Sequence, residues 1–409
     1  MSLDVSSYDA MLKEYYSQQM VENLVYKSNP LLALIPKDEN FMGSPHKLPL
    51  IYGNPQGRSA TAATAIANSS KTLGTVAFDI THVRDMCAAD IDGLLLATAV
   101  DKGAFLDSLT ATMDGTLNAV SRSVATKIYG SVDGNIGQVN AEPTVASSTV
   151  ITMKSAGDVT NIEVGQILNI WSATTGGTQR NSNGTITDLT VSSVDRSAAT
   201  VTISTAYTAS GTIAANDYIF VKGDRGASIS GLQSWIPVST PTSTSFFGVD
   251  RTTDSTRLGG VRYDGSSDSV KEALIEVTSR IAREGGRPDH VFISFKQYSV
   301  LEKSLDGLRR YDDVKVKGAD FGFEALILNS PVGPLKVIPD LNCPDDQAWV
   351  LQLDTMKLLS PGKAVQIVDR AGNVLQQSAS DDAFQVRARF YGNVGCKAPG
   401  FNGTVKLAT

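Results

Sequence analysis

Histidine and cysteine are scarce in this sequence, with three of each in 409 residues. Cys87, Cys343 and Cys396 are far apart and odd in number. That is not a disulfide framework, and it fits free thiols in a reducing compartment. His46, His82 and His290 offer none of the regular imidazole and thiolate pairs that a zinc site uses. Long hydrophobic runs are missing too. The longest, "GLLLATAV" from Gly93 to Val100, is far short of the roughly 18 residues a membrane span needs. The opening "MSLDVSSYDAML" has no basic segment followed by an apolar one, so no signal peptide is expected. Positive charge is not in excess: 36 Lys and Arg against 42 Asp and Glu give a net charge of −6. A dedicated nucleic-acid binder would normally be basic. The expectation is a soluble chain used in a cytoplasm.

Signatures of catalysis are also missing. "SPGKAV" has a Gly-Lys pair without the other residues of a P-loop, and there is no G-x-S-x-G elbow and no C-x-x-C. The densest group of ligand-type residues is "THVRDMCAADIDG", with His82, Asp85, Cys87, Asp90 and Asp92. It reads better as a strand running into a polar turn than as a metal site. "DGNIGQVNAE" starts like a calcium loop at Asp133 and Asn135 but has Gly137 where a ligand belongs. No catalytic, cofactor-binding or metal-binding residue is assigned, and no cofactor is expected.

At 42% hydrophobic the chain can bury a substantial core, and its length allows two or three domains. Residues 8–28 read as an amphipathic helix with Leu12, Tyr16, Met20 and Leu24 on one face, stopped by Asn29-Pro30. "HKLPLIYG" leads into "GNPQGRSATAATAIANSSKT", Gly53 to Thr72, where Ile66 is the one large apolar side chain and Arg58 and Lys71 are the only charges. "KTLGTVAFDI" leads out with strand-like alternation, which predicts a long hairpin arm with a soft tip. Such a tip has little to bury in a monomer, and its ordering entropy is offset only by contacts on a neighbour. Arg58 and Lys71 are expected to seat it on acidic surface of another copy.

The strongest helix signal covers 101–129, where Leu106, Leu109, Met113, Leu117, Val120, Val124 and Ile128 recur at helical spacing. Its length is about 40 Å, that of a structural spine. Residues 141–223 then change to Thr, Ser, Val and Ile with frequent turns, and predict a small all-β barrel or sandwich. "IEVGQILNIWSA" and "IAANDYIFVKGD" within it look alike. From Ser266 the pattern is α+β. A helix begins at a capping box, Ser269 with Glu272, and ends before Pro288, "HVFISF" is a strand, and a hairpin turns at Ser330 to Gly333. "LRRYDDVKVK" mixes Arg309 and Arg310 with Asp312 and Asp313. It is either a solvated face or an inter-subunit salt-bridge patch.

A sizeable chain without chemistry suggests a protein whose product is an assembly. The order of parts resembles the major capsid proteins of tailed bacteriophages with the Hong Kong 97-type fold. "NPLLALIPK" with "LPLIYGNPQGRSA" resembles the N-terminal arm entering the extended E-loop, 101–129 the spine helix, and "GLQSWIP" with "FFGVDRTTDSTRLGGVR" the connector. "ALIEVTSRIAREGGRPDHVFISFKQYSVLEKSL" and "GPLKVIPDLNCPDDQAWVLQLDTMKLLSPG" resemble the axial domain, and "ARFYGNVGCKAPGFNGTVKL" the closing peripheral segment.

The resemblance implies an α+β capsid fold with an inserted all-β domain. Its parts would be an N-terminal arm at 1–44, an E-loop at 45–80, a peripheral domain at 81–140 and the insert at 141–223. A connector at 224–265, an axial domain at 266–370 and a closing peripheral segment at 371–409 would complete it. The implied function is a shell of hexamers and pentamers enclosing double-stranded DNA, assembled in the host cytoplasm and found in the virion. Implied partners are other copies of the chain, a separate scaffolding protein, a portal, a decoration protein and packaged DNA bound without sequence specificity, but no membrane. Some relatives join subunits through lysine–asparagine bonds. Lys71, Asn393 and Asn402 carry no pattern that pairs them, so no cross-link is expected. An encapsulin-type compartment and a β-rich adhesin are the alternatives.

Overall fold

Alternating and helical apolar patterns become three sheets, a hairpin arm and one long helix. The computed structural model describes residues 29–41, 43, 45–55, 57–70, 73–92, 102–141, 148–180, 188–207, 213–242, 245–305, 311–315, 322–363, 365–368, 374–377 and 383–408. The helix expected at 8–28 lies outside them.

The long helix runs from Lys102 to Tyr129. Met113, Leu117, Val120, Val124, Ala125, Ile128 and Tyr129 are buried along it. Full burial of each large side chain contributes roughly 1.5–3 kcal/mol. The stripe packs on the strands Val83–Asp92 and Ala383–Cys396, which pair antiparallel from Val83↔Gly392 to Asp92↔Ala383. The helix stops at Gly130, whose N–H bonds back to the carbonyls of Thr126 and Lys127. Gly231 presses against this end: a Cβ there would lie 2.2 Å from the Ile128 carbonyl oxygen, so only glycine fits.

A seven-stranded sheet forms the second body. Its order is Val261–Asp264, Gly403–Lys406, Gln347–Leu351, His290–Ile293, Gly333–Pro339, Gly322–Ser330 and Tyr311–Lys315. One face packs under the helices Val270–Arg283 and Phe295–Leu305 through Leu274, Val277, Ile281 and Leu301. The other face gives Phe292, Ile338, Trp349 and Leu351 to the core of the spine. The capping box forms as expected, with Ser269 and Glu272 satisfying each other's backbone N–H. The hairpin turns at Ser330↔Gly333.

The third body is a six-stranded antiparallel sheet with its own core of Val139, Ile151, Leu168, Ile170, Val191, Val201 and Ile219. The two look-alike segments lie side by side in it, Ile170 opposite Ile219. Asn135–Gln138, read from the sequence as a failed calcium loop, is the first strand of its order, and a Val139↔Met153 bridge joins it to Ser148–Thr152 at the other end. Gly137 is needed for packing, because a Cβ there would meet Met153 Cε at 2.6 Å and Asp158 Cβ at 3.0 Å.

The arm is a two-stranded ribbon of His46–Gly53 and Gly74–Ile80. Leu48, Leu50, Phe78 and Ile80 turn inward and are buried. The tip is more ordered than its soft composition suggested. Ala62–Ala67 forms a short helix, followed by a 3-10 turn at Asn68–Ser70. Alanine is the strongest helix former, and four of the six residues of this helix, AATAIA, are alanine.

Candidate assembly surfaces

Two polar clusters and one aromatic clamp hold the bodies together and leave the arm tip free of them. In the first, Lys127 in the last turn of the spine helix reaches Asp85 Oδ2 at 3.1 Å and Asp224 Oδ2 at 2.9 Å. Ser123 Oγ donates to the same Asp85 oxygen at 2.7 Å. The lysine is buried, so one ammonium joins the helix, the strand from Val83 and the turn that leaves the inserted sheet. Burial raises the Asp224 carboxyl above its usual range, and Lys127 pulls the other way.

In the second, Asp340 is buried at the end of Gly333–Pro339. It accepts from Tyr129 Oη at 2.8 Å, the Leu31 N–H at 3.3 Å and the Asn342 N–H at 2.9 Å. Asn342 Nδ2 donates to Asn29 Oδ1 at 3.0 Å, and Asn29 Nδ2 to Ser121 Oγ at 3.1 Å. The segment entering the arm, the spine and the large sheet therefore share one network. Burial pushes the Tyr129 hydroxyl well above its ordinary range, with the Asp340 charge adding to it.

In the third, the arm root is clamped by aromatic rings. Phe78 and Phe246 meet Trp235 edge-on at 5.0 and 5.1 Å, and Trp235 Nε1 donates to the Val394 carbonyl at 2.9 Å. Arg251 lies 3.9 Å from the Phe246 ring centre and donates to the Ser234 carbonyl at 2.7 Å. Burial, then Arg262, lower the Arg251 guanidinium to about 10. Arg257 Nη1 donates to the Tyr52 carbonyl at 2.8 Å and its Nε to Glu284 at 3.2 Å.

Beyond this root the arm projects apolar side chains outward. Ile51 is 64% exposed and Ile66 72% exposed, with Leu73 also on the surface. Arg58 is exposed near the tip, while Lys71 lies outside the described residues. Asp312 and Asp313 lie on the edge strand of the large sheet, in register with Ala325 and Glu324. Arg309 and Arg310 lie outside the described residues. Charged residues on such an edge discourage unwanted strand pairing. Asn393 and Asn402 are both buried. Asn393 Oδ1 accepts from the Ser230 N–H at 2.9 Å, and Asn402 Nδ2 donates to Thr355 Oγ1 at 2.8 Å. Their side chains are thus committed inside the subunit. His82 packs against Phe41 at 3.9 Å and its Nε2 lies 3.0 Å from the Gly43 carbonyl, a structural position at the arm base. Among the described residues no group of three or more His, Cys, Asp or Glu could hold a metal ion. Likewise, no described helix is long and apolar enough to cross a membrane.

Lys127 and Asp340 were missed by sequence reasoning. A lysine between Ala125 and Ile128 in an apolar stripe was a readable signal of a buried charge. Its partners, far away in the chain, were not.

The family model for the SU10 major capsid protein matches residues 112–366. None of the curated proteins matches. Among solved structures the chain is similar to the cyanophage A-1(L) capsid asymmetric unit, with 10% identity, 93% of each chain covered and a TM-score of 0.48. It is also similar to Mycobacterium phage Adephagia, with 11% identity, 100% and 99% covered and a TM-score of 0.42. A third is the satellite phage P4 procapsid including size determination protein, with 9% identity, 96% and 100% covered and a TM-score of 0.40. The family match spans the spine from Thr112, the whole inserted sheet and most of the large sheet, so the chain belongs to the SU10 major capsid protein family.

Proposed function

We propose that this phage major capsid protein builds a closed icosahedral shell of hexamers and pentamers around double-stranded DNA, after assembly in the host cytoplasm. The observation that carries the reading is the arm. Its root is clamped, yet Ile51 stands in solvent on a ribbon that has no other strand beside it among the described residues, and Ile66 stands in solvent on the tip helix. An exposed ribbon edge with outward apolar side chains is a liability in a monomer and an asset where another copy covers it. Repetition of one such contact around closed symmetry gives a shell. In this reading residues 1–44 and 45–80 act as the arm and E-loop. Residues 81–140, 224–265 and 371–409 form the peripheral body, 266–370 the axial one, and 141–223 an outward-facing insert. The chain works as a structural subunit and not as an enzyme. Scaffolding protein, portal and decoration protein are its partners, and DNA lies against the inner face without sequence readout.

Electron microscopy of the expressed chain tests this, alone and with the scaffolding protein of its own phage. Closed particles or capsomers are the expected result. A species that stays monomeric by light scattering at high concentration, with scaffold supplied, would overturn it. Particles filled with a cargo protein in place of a genome would favour a compartment shell.

A further inference from the structure

The inserted sheet and the large sheet approach each other at a cleft of about 420 Å³. Asp158, at the start of a 3-10 turn of the insert, lines one side. Asp345 and Asp346, in the turn before Gln347–Leu351, line the other. The two sides are close, since a Cβ on Gly157 would lie 3.3 Å from Asp345 Oδ2. Gln347 also lines the cleft. It is 8% exposed, and its Oε1 finds no donor among the described residues. At the cleft, Phe295 is 56% exposed and Leu341 50% exposed, though most large apolar side chains of this body are buried. The cleft therefore offers apolar surface beside hydrogen-bond acceptors and negative charge. Described cations near it include Lys296, which lines it, Lys406, which acts on Asp346, and Lys154, which is engaged with the lining Gln138 and with Asn216. Burial, then Asp346 and Asp345, raise the Asp158 carboxyl to about 7, as expected where carboxylates crowd without a cation between them.

The complementary surface is on the same chain. The arm tip carries one large apolar side chain, Ile66, and its only charges are the basic Arg58 and Lys71. It cannot be satisfied at its own root, which is already filled by Trp235 and Phe246. We infer that the cleft between the insert and the large sheet receives the arm tip of a second copy, with Ile66 against Phe295 and Leu341 and Arg58 facing Asp345 and Asp346. This rests on the reading that the arm lies on a neighbour, and it names the place where it lands. Basic and apolar groups arriving together would satisfy acceptors and cover apolar surface in one step.

The test uses full-length chains of two kinds, Ile66→Cys and Leu341→Cys, assembled as a mixture and mildly oxidised. Both positions are exposed in the subunit, so each variant is expected to fold. Mixed particles should give a disulfide-linked dimer on a non-reducing gel. Particles of either variant alone should not, which controls for Cys87, Cys343 and Cys396. In a second arm, Arg58→Asp should lower particle yield about tenfold, the effect of a loss near 1.4 kcal/mol, and Asp345→Arg in the same chain should restore it. Parent-like particles without the mixed dimer, or an Arg58→Asp defect that Asp345→Arg leaves uncorrected, overturn the landing site and leave the shell reading intact. Absence of particles from the parent chain overturns both.

Discussion

The spine helix and the helix at the arm tip are both written in small and apolar residues, yet they have opposite fates. Lys102–Tyr129 turns its stripe onto two strands and buries it. Ala62–Ala67 buries none of its residues. Both have helical backbone, so propensity does not separate them. The difference is what lies alongside. The spine has a sheet whose register is fixed by ten paired positions, and the tip helix is covered by none of the described residues well enough to bury a side chain. One region therefore stabilises the subunit, and the other is available to stabilise the assembly.

Breaking the spine should give the largest effect. Lys127→Ala leaves the half-buried Asp85 and Asp224 without their shared cation and should cost about 3 kcal/mol in chemical denaturation of the subunit. A cost below about 1 kcal/mol would show that the three groups do not act as one cluster. A smaller effect is expected at the cleft. The fold raises Asp158 from 3.8 to about 7, so the folded state holds a proton that the unfolded chain releases. Its contribution is fully present below the unfolded value and is lost as pH rises through the folded one. Stability should thus fall as pH rises across that window, in the same direction as for the raised Asp224, Asp340 and Asp346 carboxyls. Asp158→Asn should flatten part of this slope, by on the order of 1–2 kcal/mol between pH 5 and 8. A slope that the variant leaves unchanged would count against the crowding of these carboxylates.

The helix Val270–Arg283 sharpens the comparison, since its start depends on a local cap. Ser269→Ala removes the bond to the Glu272 N–H and should cost about 1 kcal/mol by thermal unfolding. The smallest effect on the subunit is expected at the arm tip. Deleting residues 53–72 and closing the ribbon with a short turn should leave the circular dichroism melt almost unchanged while particles become fewer or less stable. A deletion variant that unfolds would place the tip in the core, and normal particles would show that the arm is slack.

Periodicity made much of the fold readable. The stripe from Met113 to Ile128, the Ser269–Glu272 box and the hairpin at Ser330 are local patterns, and local patterns survive in one dimension. Asn135–Gln138 was missed because it is short and glycine-bearing, and it is a strand only because Tyr218–Val221 pairs with it. The tip helix was missed because a window rich in Ser, Thr, Asn and Gly hid an alanine run. Of the charges singled out in sequence, Arg58 lies on the surface. The buried ones that join the bodies, Lys127 and Asp340, make their bonds across the chain, and nothing near them in sequence names the partner.

One pairing has a consequence in time. Among the described residues Val83–Asp92 pairs only with Ala383–Cys396, and Thr81 accepts from Asn393, 312 positions later. A ribosome releases the first strand long before the second exists. Until then the spine stripe has half its cover missing, and closing so long a loop makes this a late event in folding. A chain truncated before Ala383 cannot complete the body that holds the arm root, since Val394 accepts the Trp235 indole N–H there. The platform behind the arm is thus finished only in a polypeptide that has reached Ala383–Cys396, so its completion follows the order of synthesis.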